Sequence, residues 1–218
     1  MVWQTYDYYF EPTAAYFAIK KASEPLHIQW NPATDEVEVV NYSAGTHKGL
    51  TAKVQILNMD ASVAWEKETT VDSNEDTTNK CIKLEFPANL SKVHFIKMTL
   101  AENGKVISDN FYHRSLEENN YQDLQKLPKV ALQSATTVDK NADGTWSAVS
   151  VIENKTSTPA LMIRLNVVGD KDGQQLLPVF YSDNYFSLLP GEKKEVRMNW
   201  KDEDTRGNEG RVVISGYN

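Results

Sequence analysis

An aromatic stretch near the C-terminal end of the sequence carries the residue types that bind sugars. Tyr181, Tyr185 and Phe186 surround the polar residues Asp183 and Asn184. Sugars stack their apolar faces on exposed aromatic rings, while carboxylates and amides can supply hydrogen bonds to hydroxyl groups. The stretch therefore predicts either a ligand platform on the three aromatic residues or a segment in which the same rings pack inside the fold.

Two carboxylates near the start of the chain, Asp7 and Glu11, have the spacing of one helix face. Paired carboxylates can act as general acid or base and as nucleophile. Glu11 directly precedes Pro12, however, and an acidic side chain there suits the positive end of a helix dipole. We expect neither Asp7 nor Glu11 to be catalytic.

The sequence contains no strong pattern of metal-binding residues. The four histidines are scattered without ligand spacing: His27, His47, His94 and His113. Asp170, Asp172 and Gly173 resemble the start of a calcium loop but lack its remaining ligands, and a hairpin turn explains them. The acidic loop from Asp202 to Glu209 could hold Ca²⁺, although a solvated charged loop is favoured. We expect no metal and no cofactor.

Two further features have a plain structural explanation. The single cysteine, Cys81, excludes an internal disulfide, and its alternation with Lys83 and Glu85 predicts an outward-facing thiol rather than a nucleophile. Asn-X-Ser/Thr triplets begin at three positions: Asn41, Asn89 and Asn154. Such triplets arise by chance and matter only in a eukaryotic secretory route.

Hydrophobic alternation with a period of two predicts short strands in most of the chain. The first group of predicted strands lies at residues 26–30, 37–39, 50–56, 63–68, 82–86, 96–100 and 106–112. A polar loop is predicted over 72–80. Asn103 and Gly104 predict a tight hairpin turn. About seven strands in this space predict an immunoglobulin-like sandwich over residues 26–115.

A polar connection over residues 116–127, with a short helical turn, separates this group from a second one. The second group of predicted strands lies at residues 130–138, 146–152, 161–167, 176–181, 196–200 and 212–215. Pro190 and Gly191 suit the two central positions of a type II turn. The pattern predicts a second sandwich over residues 128–218. Four tryptophans are expected in the two cores: Trp30, Trp65, Trp146 and Trp200.

The first 25 residues differ from the rest. Their first half is rich in aromatic residues: Trp3, Tyr6, Tyr8, Tyr9, Phe10, Tyr16 and Phe17. A helix is predicted from Pro12 to the residues before Pro25, with a face made of Ala14, Phe17, Ala18 and Ala22. About ten residues of helix are marginal alone in water, and an exposed aromatic run is costly. This segment is therefore expected to pack against another part of a polypeptide chain.

Several phrases in the sequence resemble family 2 glycoside hydrolases, particularly the exo-β-D-glucosaminidase and endo-β-mannosidase branch. The last segment of the catalytic barrel is similar to three parts of this sequence: WQTYDYY at 3–9, Pro12, and AAYFAIKKASEPLHIQ at 14–29. The two sandwich domains that follow the barrel in this family resemble three further phrases: SDNFYHRS at 108–115, SDNYFSLLPGE at 182–192 and VVISGYN at 212–218. The resemblance implies an all-β fold of two tandem immunoglobulin-like sandwiches, preceded in residues 1–25 by a short helical remnant of a (β/α)8 barrel.

The resemblance also implies a function. Retaining glycosidases use two carboxyl groups about 5 to 5.5 Å apart, and in this family those groups lie upstream, on barrel strands. The chain is thus expected to be the non-catalytic accessory part of a β-glucosaminidase or β-mannosidase, inactive alone, that supports the barrel and shapes access of glycans. The missing barrel would be its partner, Trp3 would lie near the sugar pocket or pack at an interface, and the parent would be secreted or periplasmic.

Composition excludes other classes. The net charge of −7 and the pI of about 5.2 argue against nucleic acid as a partner. No apolar run approaches the ~20 residues of a membrane span, and the start of the chain has no signal-peptide pattern. A free-standing pair of carbohydrate-binding modules and a structural tandem of immunoglobulin-like domains remain alternatives.

Overall fold

The computed structural model describes residues 4–218. Met1, Val2 and Trp3 lie outside the described residues, and so does the role predicted for Trp3. The chain forms two compact units. One unit runs from Lys20 to Lys126, and the other combines the N-terminal residues up to Ile19 with Leu127–Asn218.

The Lys20–Lys126 unit is a sandwich of two antiparallel sheets. Its strands are β1 (Leu26–Asn31), β2 (Glu36–Asn41), β3 (His47–Asn58), β4 (Val63–Ser73), β5 (Thr77–Lys83), β6 (Val93–Glu102) and β7 (Lys105–Ser115). The order β1-β2-β5 forms one sheet, and β4-β3-β6-β7 forms the other. Alternate residues of each strand point inward, so Ile28, Val54 and Met98 are fully buried in one core.

The second unit is a sandwich of the same kind. Its strands are β8 (Gln133–Lys140), β9 (Thr145–Glu153), β10 (Ala160–Gly169), β11 (Phe180–Tyr181), β12 (Phe186–Leu188), β13 (Lys193–Lys201) and β14 (Gly210–Ser215). The orders β11-β13-β9-β8 and β12-β10-β14 form its two sheets. Trp200 is buried in this core and stacks on Trp146 with ring centroids 6.3 Å apart. The predicted fold of two immunoglobulin-like sandwiches is confirmed.

The structure has one α-helix among its described residues, α1 (Ala14–Ala22). Short 3-10 helices follow at Gln122–Lys126, in the predicted connection, and at Asp202–Thr205. The helix ends before Pro25, as the sequence predicts.

Some strand predictions were wrong in extent. The predicted loop over 72–80 is shorter, because β4 continues to Ser73 and β5 begins at Thr77. The predicted strand over 176–181 is reduced to Phe180–Tyr181, while the short strand β12 was not predicted. The thiol of Cys81 is half-buried rather than outward-facing, because a bulge opposite Val37 and Glu38 breaks the alternation of β5. Its burial raises the pKa of Cys81 to about 11.

Two buried asparagines occupy similar positions in the two sandwiches. Asn41 donates from Nδ2 to the carbonyls of Ser73 and Asn74, at 3.3 and 3.1 Å. Asn154 donates likewise to the carbonyls of Thr158 and Leu188, at 2.8 and 3.0 Å. Both side chains are fully buried and accept a hydrogen bond from the backbone N–H two residues on. They tie loops to strands inside each sandwich.

Candidate functional site

Residues 5–13 form a compact loop ahead of helix α1. The backbone N–H and hydroxyl of Thr13 both donate to the carbonyl of Thr5 at 2.9 Å. Asp7 accepts hydrogen bonds at Oδ1 from the backbone N–H groups of Tyr9 and Glu11, at 2.8 and 3.0 Å. The carboxylate of Asp7 therefore shapes the loop, and its geometry matches a turn-stabilising side chain.

Two contacts fix this loop and helix to the second sandwich. Glu11 forms an ion pair with Arg164 of strand β10. Phe17 is 5% exposed and lies in the core cluster of the sandwich. Its ring centroid lies 6.5 Å from that of Tyr181 and 6.0 Å from that of Tyr185. The loop and the first part of α1 are thus packed against the second sandwich.

Only part of the predicted helix face is buried. Phe17 is covered, but Ala18 and Ala22 are exposed, and so is Ile19 beside them. The expectation that the alanine face packs closely against a partner is not met by any of the residues 4–218. Within the described chain, Phe17 is the one buried side chain of α1, Ala14 and Lys21 are half-buried, and the other residues of the helix are exposed.

The three aromatic residues predicted as a ligand platform are not brought onto one exposed surface. Tyr181 is 8% exposed, its hydroxyl accepts a hydrogen bond from the backbone N–H of Val167, and burial raises its pKa to about 12. Tyr185 is half-buried with the guanidinium of Arg164 5.8 Å from its ring centroid. Because Tyr181 is almost fully buried, little of its ring is open to a sugar. A role in glycan binding stays a prediction for these residues.

Phe186 is also occupied by a neighbouring side chain. The ammonium of Lys194 lies 5.0 Å from its ring centroid and pairs with Asp183. Asn184 holds strand β10 by accepting from the N–H of Leu165 at 2.8 Å and donating to its carbonyl at 2.9 Å. The polar residues that could have served a sugar are therefore bonded to the protein itself.

A different aromatic surface is open. Its residues line a groove with a volume of about 440 Å³, which we call the aromatic groove: Tyr6, Phe10, Pro12, Tyr16, Phe17, Pro178, Val179, Phe180 and Tyr181. Phe180 and Phe10 are 68% and 62% exposed, and Tyr6 is 49% exposed. The rings of Tyr6 and Phe10 stack with centroids 6.1 Å apart. No charged side chain is among the described residues that line this groove.

Phe180 is the member of the groove that the sequence did not reveal. It precedes Tyr181 on strand β11, and successive side chains of a strand point to opposite faces. Because Tyr181 points into the core, Phe180 points outward. The available signal was the adjacent pair of aromatic residues, of which a two-residue strand can bury only one.

The aspartates of the acidic loops form hydrogen bonds and ion pairs with other residues of the protein. Asp202 pairs with Lys140 at 2.9 Å and accepts from the indole N–H of Trp146 at 2.7 Å, and these bonds lower its pKa. Asp172 accepts from the backbone N–H of Gln174 at 2.9 Å. Among residues 4–218 there is no group of three or more His, Cys, Asp or Glu side chains placed to hold a metal ion.

No helix among residues 4–218 has the length and apolar character needed to cross a membrane.

Family comparisons agree with this architecture. A family model described as the exo-β-D-glucosaminidase Ig-fold domain matches residues 110–218, which is half of the chain. A second model, described as the mannosidase Ig/CBM-like domain, matches residues 35–115. Fold and family models together define the class of protein, the immunoglobulin-like accessory domains of glycoside hydrolases.

Individual relatives narrow this assignment. The exo-β-D-glucosaminidase of Streptomyces avermitilis is 30% identical over 240 residues, which cover 99% of this chain and 26% of the relative. The enzyme of that name from Amycolatopsis orientalis is 31% identical, with 99% and 23% covered. A crystal structure of the Amycolatopsis orientalis exo-chitosanase superposes with a TM-score of 0.90 at 28% identity, covering 99% of this chain and 28% of that one.

The chain belongs to the exo-β-D-glucosaminidase Ig-fold domain family of family 2 glycoside hydrolases. It spans about a quarter of the length of the curated relatives that it matches.

Proposed function

We propose that this chain is the non-catalytic accessory part of a retaining β-glycosidase of the β-glucosaminidase or β-mannosidase type. In this role the two sandwiches support a catalytic (β/α)8 barrel and restrict which glycans reach its pocket, and α1 is the remnant of the last barrel helix. The observation that carries the proposal is the end-to-end similarity of this chain to one quarter of several exo-β-D-glucosaminidases.

The geometry of the candidate carboxylates supports a non-catalytic role. A retaining mechanism needs one carboxyl group free to attack the sugar and another free to transfer a proton. Asp7 is bonded to the backbone of its own loop, and Glu11 is paired with Arg164. Both carboxylates thus make bonds within the fold, which favours a structural role over a catalytic one.

Assays on the purified chain test this proposal. With 4-nitrophenyl β-D-glucosaminide or β-D-mannoside as substrate, the chain should release no nitrophenol above the rate without protein. A rate that follows the chain through successive purification steps and disappears when the chain is unfolded would overturn the proposal.

The gene supplies the complementary test. Sequence upstream of this region should encode a barrel with two carboxylates at strand ends, and the longer product should hydrolyse one of these substrates. Proton NMR of the first-formed sugar should show the β-anomer, because a retaining enzyme preserves the configuration. A first-formed α-anomer would contradict the retaining mechanism while leaving the accessory role intact.

We also propose that the parent enzyme is secreted or periplasmic, on the basis of the resemblance to family 2 glycoside hydrolases. Fractionation of the native organism, followed by detection of this chain with an antibody, tests the location. Recovery in the cytoplasm alone would exclude it.

A further inference from the structure

We infer that the aromatic groove is the surface on which the catalytic part of the parent enzyme docks, and that the occupant is an apolar face of that part. This inference rests on the proposed function and adds to it the location and the chemistry of the contact.

The size and composition of the groove fit a protein partner. Aromatic side chains bury about 150 to 250 Å² each when fully covered. With the exposed fractions of Tyr6, Phe10, Tyr16 and Phe180, the open rings amount to about 300 to 500 Å². The largest apolar patch of a typical monomer has this size and is often functional. Ile19, one helical turn after Tyr16 on α1, is also exposed.

The groove is held in place before any partner arrives. The ion pair between Glu11 and Arg164 fixes the loop that carries Tyr6 and Phe10. Phe17 fixes α1, and the pairing of β11 with β13 fixes Phe180. A preformed surface loses little conformational entropy on binding, which favours a tight contact.

The identity of the occupant follows from chain length and connectivity. The curated relatives are about four times longer than this chain. The N-terminal segment supplies Tyr6, Phe10, Pro12 and Tyr16 to the groove, and under the proposed function this same segment continues into the barrel. Covalent linkage then keeps the barrel at high effective concentration beside the groove.

A glycan fits the groove less well. Sugar sites place several polar groups around an aromatic ring to fix the hydroxyls. Here the only polar side-chain atoms on the described lining are tyrosine hydroxyls, and that of Tyr181 is already hydrogen-bonded to strand β10. An apolar protein surface needs no such partners.

Comparison of one substitution in two proteins tests the inference. Phe180→Ser is introduced into the 218-residue chain and into the full parent enzyme, with Tyr42→Ser, a 66% exposed position on the first sandwich, as the matched control. In the chain alone, Phe180→Ser should leave the melting temperature unchanged, because the ring is solvated there. In the parent, it should raise the rate of proteolytic cleavage between the barrel and the sandwiches about tenfold or more, as expected for removal of a central interface ring.

Three outcomes would overturn the inference. The first is a lower melting temperature of the isolated chain with Phe180→Ser, which would make the ring part of the fold's own packing. The second is an equal rate of proteolytic cleavage in the parent with Phe180→Ser and with Tyr42→Ser. The third is saturable binding of chitosan oligosaccharides to the chain that Phe180→Ser abolishes, which would make the groove a sugar site. Absence of a barrel from the gene would instead refute the proposed function, so the two failures are distinguishable.

Discussion

Phe17 of helix α1 lies edge-on against Tyr181 of strand β11, with ring centroids 6.5 Å apart and ring planes at 77°. The two residues are remote in sequence but share one core cluster. The N-terminal segment therefore completes the second sandwich, and the surface that the segment presents is fixed relative to strand β11.

Phe17→Ala should destabilise the second sandwich by about 3 kcal/mol, because removal of a buried ring loses transfer free energy and leaves a cavity. Ile19→Ala is the matched control on the same helix, since Ile19 is 55% exposed and its loss should be nearly neutral. Urea unfolding monitored by tryptophan fluorescence measures both. Equal stabilities of the two variants would show that Phe17 is not a core residue.

Asn154→Ala should lower the free energy of unfolding by about 2 to 4 kcal/mol. The substitution leaves the carbonyls of Thr158 and Leu188 without the donor that they share, and buried polar groups without a partner are costly. Asn89→Ala removes an exposed amide and serves as the control. Differential scanning calorimetry should separate the variants, and a melting temperature for Asn154→Ala within a degree of wild type would contradict this account.

Gly210→Ala should destabilise the sandwich by about 1 to 3 kcal/mol, as overpacking of a core does. A Cβ at this position would lie 2.5 Å from Cζ2 of the buried Trp200 and 3.0 Å from Cγ1 of Val167. At Gly216 the nearest atom to a new Cβ is 3.4 Å away, so Gly216→Ala is the matched control. The emission maximum of tryptophan should move only in the Gly210 variant. An unchanged spectrum and stability there would show that the Trp200 ring has room to shift.

Acidification should destabilise the first sandwich through His94. The imidazole is fully buried, donates from Nδ1 to the carbonyl of Ser91, and has no partner for Nε2 among the described residues. Burial lowers its pKa below 6.5, and the positive charge of Arg114 acts in the same direction. Because the unfolded chain then binds the proton more readily, the free energy of unfolding should fall as the pH drops below about 6.5.

His113 contributes to the same pH window, since burial lowers its pKa too. Unfolding in urea at pH 7.5 and 5.5 should therefore show a smaller loss of stability in His94→Gln and in His113→Gln than in wild type. An identical loss in all three proteins would mean that neither histidine is responsible.

The sequence predicted the strands that are long enough to show several cycles of alternation between hydrophobic and polar residues. Strand β3 is an example, since Leu50, Val54 and Ile56 are all fully buried, whereas the alternate residues Thr51, Lys53 and Gln55 are only partly buried. Strands β11 and β12 have two and three residues, which is too short for a period to appear. The aromatic groove was hidden for the same reason, and because the contact of Phe17 with Tyr181 joins remote parts of the chain.

The buried amides of Asn41 and Asn154 restrict how this protein can be produced. Both begin Asn-X-Ser/Thr triplets, and in a eukaryotic secretory host an oligosaccharide is transferred to such triplets while the chain is still emerging. A sugar attached at either asparagine has no space inside the closed sandwich and removes donors that its loops require. Bacterial expression avoids this conflict, whereas yeast or insect-cell secretion invites it.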